Sequence, residues 1–142
     1  MTHDEARVFI KRHLMYNAHK PCTLTDRKIK YWWRILNAAV FYNRLKYPQI
    51  ITLSRLKQAY AMVRPSTNGD RQIFQLLMQP TFSSKELFLA VLVHEMVHAW
   101  EHQHYTVMGH GKRFLLWTNR IKRTTGLILE VKLGEEDYMY ER

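Results

Sequence analysis

Residues 94–98 read His-Glu-Met-Val-His, which combines the residue types from which a hydrolytic metal site is built. Positions four apart lie on the same face of an α-helix, one turn above the other, so His94 and His98 can bind one ion. Neutral imidazole is a good ligand for Zn²⁺, and Glu95 can accept a proton from a water molecule that the metal activates. The pentad therefore predicts a zinc-dependent hydrolase.

The pentad follows a run of seven apolar residues at 87–93. A helix that is apolar on nearly every side is normally buried, so two histidines on it need a partner in the core. That partner is either a metal ion or a set of hydrogen bonds among structural histidines. The pentad alone leaves both interpretations open.

A catalytic zinc ion usually takes three protein ligands and keeps its fourth position for water. His102 lies one turn beyond His98, too far along a straight helix to reach the same ion. His104 has the spacing of the metzincin pattern, but Glu101 stands where that pattern needs glycine. His110 lies between two glycines, where the backbone can reverse and present the ring from another element. The predicted ligands are His94, His98 and His110, with His104 as the alternative third ligand.

The charge balance points to a polyanionic partner. Lys and Arg total 22 against 12 Asp and Glu, a formal net charge of +10. Such a charge is typical of proteins that contact nucleic acid, although a basic surface can also serve solubility alone. On the outer side of the last predicted helix, Arg113, Arg120 and Arg123 are the predicted phosphate contacts.

The composition also excludes several classes of protein. With 46% hydrophobic residues, the 142-residue chain can bury the core of one domain. Cys22 is the single cysteine, which excludes an internal disulfide and a cysteine-based zinc ribbon. The chain has no apolar run near 18 residues and no signal-peptide pattern. We expect a cytoplasmic protein with no membrane span, and both the nucleoid and the cytoplasm of a host cell are compatible with this expectation.

Periodicity and capping signals predict four helices. Thr2 and Glu5 have the spacing of a capping box at the start of the first helix. Ser83 and Glu86 have the same spacing at the start of the third, which carries the pentad. Gly126 is a natural stop for the fourth. The predicted helices cover residues 3–17, a segment after Thr25, a segment from Ser83 to His102 or His104, and a segment from His110 or Gly111 to Thr125.

Short segments rich in β-branched and aromatic residues predict strands at 49–54, 58–63, 71–78 and 127–133. Asn68-Gly69 is a favoured hairpin turn between the second and third of them. We expect a single compact α+β domain over 1–142, in which helices pack on a small antiparallel sheet. A polar tail follows at 134–142.

Four segments together carry a family resemblance. They read His-Glu-Met-Val-His-Ala-Trp at 94–100, His-Gly-Lys-Arg-Phe at 110–114, Asn-Arg-Ile at 119–121 and Thr-Gly at 125–126. The chain resembles the SprT-like metalloprotease domain family, the Spartan-like zinc protease core, over about residues 25–132. The paired motif, His-Glu-x-x-His followed by His-Gly-x-x-Phe, is far more specific than either part and lowers the weight of the structural-histidine interpretation.

The resemblance implies a zincin-like α+β domain that holds one zinc ion on the pentad helix. His94, His98 and His110 would match the ligand positions, and Glu95 the general base. The family's characterised eukaryotic members are DNA-dependent proteases that digest proteins crosslinked to DNA. The resemblance thus implies a protein substrate and DNA, single-stranded or containing junctions, as partner.

One departure from the family limits this inference. Many SprT-like proteins carry a C-terminal cysteine-rich zinc ribbon, whereas this chain has one cysteine. DNA targeting by such a part cannot be carried over. Two other functions stay open: a zinc-stabilised nucleic-acid-binding or assembly module with little catalysis, and a metallopeptidase whose substrate is unrelated to DNA.

Overall fold

The computed structural model describes residues 1–57, 59–68, 71–105 and 111–129, with the remaining residues outside the description. Within these ranges helices and strands combine in the α+β class that the sequence predicts. The elements in chain order are α1 (His3–Asn17), β1 (Cys22–Thr23), α2 (Asp26–Phe41), β2 (Ile50–Leu53), β3 (Ala61–Asn68), β4 (Arg71–Met78), β5 (Thr81–Phe82), α3 (Lys85–Tyr105) and α4 (Lys112–Thr125).

The predicted helix caps of α1 and α2 are present. The Thr2 hydroxyl accepts from the Glu5 backbone N–H at 3.2 Å, and the Glu5 carboxylate accepts from the Thr2 N–H at 3.1 Å. At the start of α2, the Thr25 hydroxyl accepts from the Lys28 N–H at 3.2 Å. These bonds satisfy backbone donors that have no partner inside the helix, which fixes both starting points.

Helix α3 begins slightly later than predicted. The hydroxyl of Ser84, not Ser83, accepts from the Leu87 N–H at 3.1 Å. The two preceding donors are satisfied from the turn after α1, since Lys85 N–H bonds to the Lys20 carbonyl and Glu86 N–H to the Ala18 carbonyl. These hydrogen bonds to a distant part of the chain favour Ser84 rather than Ser83 as the helix cap. The local sequence pattern gives no sign of them.

The main sheet has the order β2-β4-β3. Strand β3 pairs antiparallel with β4, whereas β2 pairs parallel with it, so the predicted purely antiparallel sheet is wrong for β2. The reason is topological: the β3–β4 hairpin inserts β4 beside β2, which then runs in the same direction. The register pairs Asn68 with Arg71, so 69–70 join the two strands. Those two residues lie outside the description.

Two other strand predictions differ from the structure. The strand predicted at 58–63 lies at Ala61–Asn68, and the short antiparallel pair β1–β5 was not predicted because each strand has two residues. At the C-terminal end, residues 127–129 form no strand, although Leu127 and Leu129 are buried and Ile128 is exposed. The alternation of buried and exposed residues at 127–129 comes from packing against the core and not from a strand. Residues 130–133 and the tail at 134–142 lie outside the description.

Helix α3 runs through the core. It contacts β3, α1, α2 and β5, and its apolar residues between Phe88 and Ala99 are buried, as its sequence predicts. In the described part of the chain, no helix is long and apolar enough to span a membrane. The fully buried apolar residues of α3 are Phe88, Leu89, Val91, Leu92, Val93, Met96, Val97 and Ala99.

Candidate metal centre

His94 and His98 meet on one face of α3, as their spacing predicts. Both side chains are fully buried, and the two Nε2 atoms lie 3.2 Å apart. Zinc binds imidazole nitrogen at about 2.0–2.1 Å in tetrahedral geometry, which places two such ligand atoms about 3.3 Å apart. The observed separation fits two ligands of one zinc ion.

The protonation state of His94 suits a metal ligand. Burial holds the pKa of His94 well below its usual range, and the neighbouring His98 lowers it further. The ring is therefore neutral at physiological pH, the form in which imidazole binds a metal.

Helix α4 covers the histidine pair with Phe114. The ring centroid of Phe114 lies 4.8 Å from that of His94 and 5.2 Å from that of His98, and its plane is within 23° of the His98 ring. Phe114 is itself 5% exposed. The aromatic residue of the His-Gly-x-x-Phe segment thus limits the orientations available to both rings.

Glu95, the predicted general base, follows His94 on α3 and is also fully buried. Carboxylates are almost never fully buried at ordinary structural positions, because burial penalises their charge. Glu95 has an interaction partner within the protein, as a buried carboxylate requires. The predicted general base is thus buried, like the two predicted ligands.

The third predicted ligand, His110, lies outside the described residues, so its place at the centre stays a prediction. Among residues 1–57, 59–68, 71–105 and 111–129, no group of three or more His, Cys, Asp or Glu side chains is arranged to hold a metal. The described part of the centre consists of the His94–His98 pair with Glu95.

The later histidines of α3 have other surroundings. His104 is exposed, its ring stacks on Trp100 at 3.9 Å between centroids, and its Nδ1 donates to the Trp100 carbonyl. His102 is half-buried and lines a cavity of about 180 Å³ together with Arg44 and Lys46.

Glu101 is the residue that the sequence analysis missed. The side chain of Glu101 is 6% exposed, and its Oε1 atom lies 3.3 Å from His98 Nδ1. In the sequence, Glu101 counted only as the residue that replaces the metzincin glycine. Its three-residue spacing from His98 was the available signal, because residues three apart on a helix are neighbours.

The three predicted phosphate contacts are not equivalent. Arg113 and Arg123 are exposed on α4. Arg120 is half-buried, and its guanidinium lies 5.2 Å from the ring centroid of Trp117 and 5.5 Å from that of Tyr42. Its cation therefore packs on aromatic rings that join α4 to the end of α2.

Comparison with known proteins identifies a family. A sequence model of the SprT-like family matches residues 29–133, which include most of α2, the main sheet, the histidine pair and α4. No curated protein and no solved structure is detectably similar to the chain.

Proposed function

The chain belongs to the SprT-like family, and from that premise we propose that it is a zinc-dependent metalloprotease. The observation that carries the proposal is the buried His94–His98 pair, with Nε2 atoms 3.2 Å apart and Glu95 next to it in the chain. A zinc ion of purely structural role does not need such a carboxylate. Peptide-bond hydrolysis would use both the histidine pair, which binds the metal, and the carboxylate of Glu95.

The proposed chemistry assigns one role to each residue. His94, His98 and His110 would hold one zinc ion, which supplies a Lewis acid that polarises the scissile carbonyl and acidifies water. Glu95 accepts a proton from the attacking water and passes it to the nitrogen of the leaving amine. Phe114 keeps the two described imidazoles in place during turnover.

We further propose that the substrates are proteins bound or crosslinked to DNA. The support is the net charge of +10 together with the location of Arg113 and Arg123. Both project from α4, the helix whose Phe114 packs on the histidine pair. DNA held by that helix would bring an attached protein close to the metal centre.

Glu95→Gln tests the catalytic assignment. The change keeps the size of the side chain but removes its ability to accept a proton, so degradation of histone or casein should fall by at least about 100-fold. Zinc content, measured on the purified protein, should be unchanged. Glu86→Gln is the matched control, because Glu86 is an exposed residue of the same helix.

The outcomes separate the candidate functions. Degradation by Glu95→Gln at the parental rate contradicts the assigned base. A parental protein that binds zinc and DNA but degrades neither substrate, with or without single-stranded DNA, indicates the nucleic-acid-binding module. Degradation that DNA does not stimulate indicates a metallopeptidase with substrates unrelated to DNA.

A salt titration tests the DNA contact. Arg113→Ala with Arg123→Ala should weaken binding to single-stranded DNA and reduce the slope of log affinity against log salt by about 1.4, because two phosphate contacts are lost. Arg27→Ala with Lys30→Ala removes the same charge from the exposed side of α2. Equal losses in the two double variants would show only a general charge effect.

A further inference from the structure

The two ring nitrogens of His98 face different groups. Nε2 lies 3.2 Å from Nε2 of His94, and Nδ1 lies 3.3 Å from the Glu101 carboxylate. A neutral imidazole carries one N–H, so the partner of one nitrogen decides what the other can do. A carboxylate only accepts hydrogen bonds, which places the N–H of His98 on Nδ1.

We propose that Glu101 is a positioning residue of the metal centre: it holds His98 in the tautomer whose Nε2 lone pair faces His94 Nε2. The proposal rests on the proposed zinc site and deepens it. In metal sites, an acceptor on the second nitrogen fixes the ring and increases its basicity as a ligand. Here the acceptor comes from the same helix, one turn further on.

Glu101 and Phe114 constrain the His98 ring in complementary ways. The Phe114 ring stacks within 23° of the imidazole plane and limits tilting. The Glu101 carboxylate contacts an edge atom and limits rotation about the bond to the ring. Because the His98 side chain is fully buried and that of Glu101 is 6% exposed, water cannot readily replace the carboxylate. Loss of Glu101 therefore removes the acceptor that holds the proton of His98 on Nδ1.

The experiment compares Glu101→Leu, Glu101→Gln and the control Glu86→Gln. Nitrogen NMR of the zinc-free proteins should show His98 protonated at Nδ1 in the parent and control, and mixed tautomers in Glu101→Leu. Competition with a chelator should show zinc affinity reduced by about 10–100-fold in Glu101→Leu. Glu101→Gln retains an acceptor oxygen, so we expect the parental tautomer and a smaller loss of affinity.

An unchanged His98 tautomer in Glu101→Leu overturns the proposal, whatever the zinc affinity does. If the leucine variant does not fold, Glu101→Ala removes the same acceptor with the best helix-forming residue. Failure of the proposed function gives a different result: the parent then binds no zinc or degrades no protein, while the zinc-free NMR comparison still decides the role of Glu101.

Discussion

The first and last parts of α3 carry the same residue type in different surroundings. His94 and His98 are fully buried beside Phe114 of α4, and their Nε2 atoms lie 3.2 Å apart. His102 is half-buried beside a small basic cavity, and His104 is exposed on Trp100. The four histidines of this helix thus differ in what covers them. The comparison teaches that burial and neighbouring groups, not residue type, separate a candidate metal ligand from a surface histidine.

His98→Ala against His102→Ala is the most direct way to break this comparison. We expect His98→Ala to weaken zinc binding by more than about 100-fold, since even residues that only support a ligand contribute 10–100-fold. His102→Ala should leave zinc affinity within about twofold of the parent. Metal analysis and chelator competition measure both, and equal zinc binding by the two variants would contradict the comparison.

Phe114→Ala tests the packing that sets the first part of α3 apart. Removing a buried phenylalanine from the two imidazoles should lower the free energy of unfolding by about 3–5 kcal/mol. Leu116→Ala is the control, because Leu116 is 69% exposed on the same helix and should change stability by about 0.5 kcal/mol or less. Urea denaturation gives both values. A similar loss in the two variants would show that α4 does not pack on the site.

His104→Ala tests the comparison at the exposed end of α3. The variant loses the stacking on Trp100 and the hydrogen bond to its carbonyl, both at an exposed residue, so we expect a loss of about 1 kcal/mol and no loss of zinc. His110→Ala should lose zinc, which would distinguish the two predicted third ligands. Zinc retained by His110→Ala and lost by His104→Ala would reverse the choice between them.

The smallest expected effect is the pH response of His102. Burial lowers the pKa of His102, so the unfolded chain binds the proton more readily than the folded protein. The neutral ring therefore contributes stability above the unfolded pKa of about 6.5, and this contribution is lost as the pH falls through the folded pKa. Urea denaturation at pH 7.5 and 5.5 should show a smaller loss for His102→Gln than for the parent. An identical loss would contradict the burial of this ring.

Sequence patterns predicted the features that depend on neighbours in the chain. The caps at Thr2 and Thr25 and the stop at Gly126, which has φ 84°, all depend on backbone within a few residues. The convergence of His94 and His98 follows from helix geometry in the same way. Hence the helices and the described part of the candidate site were predictable.

Features that depend on distant parts of the chain were not predicted. The parallel pairing of β2 with β4 depends on which strand the β3–β4 hairpin places beside β2. The choice of Ser84 as a cap depends on carbonyls from the turn after α1. The contact of Glu101 with His98 depends on two side-chain conformations inside the core, which a spacing of three permits but does not require.

The carbonyls of Ala18 and Lys20 indicate that the folding unit begins before the segment that matches the family. They bind the first N–H groups of α3, although both lie before residue 29, where the family match begins. A fragment trimmed to the matched segment would leave those donors without acceptors and the adjoining face of α2 without α1. Domain boundaries drawn from family similarity would thus remove two hydrogen bonds that hold the start of the helix with the histidine pair.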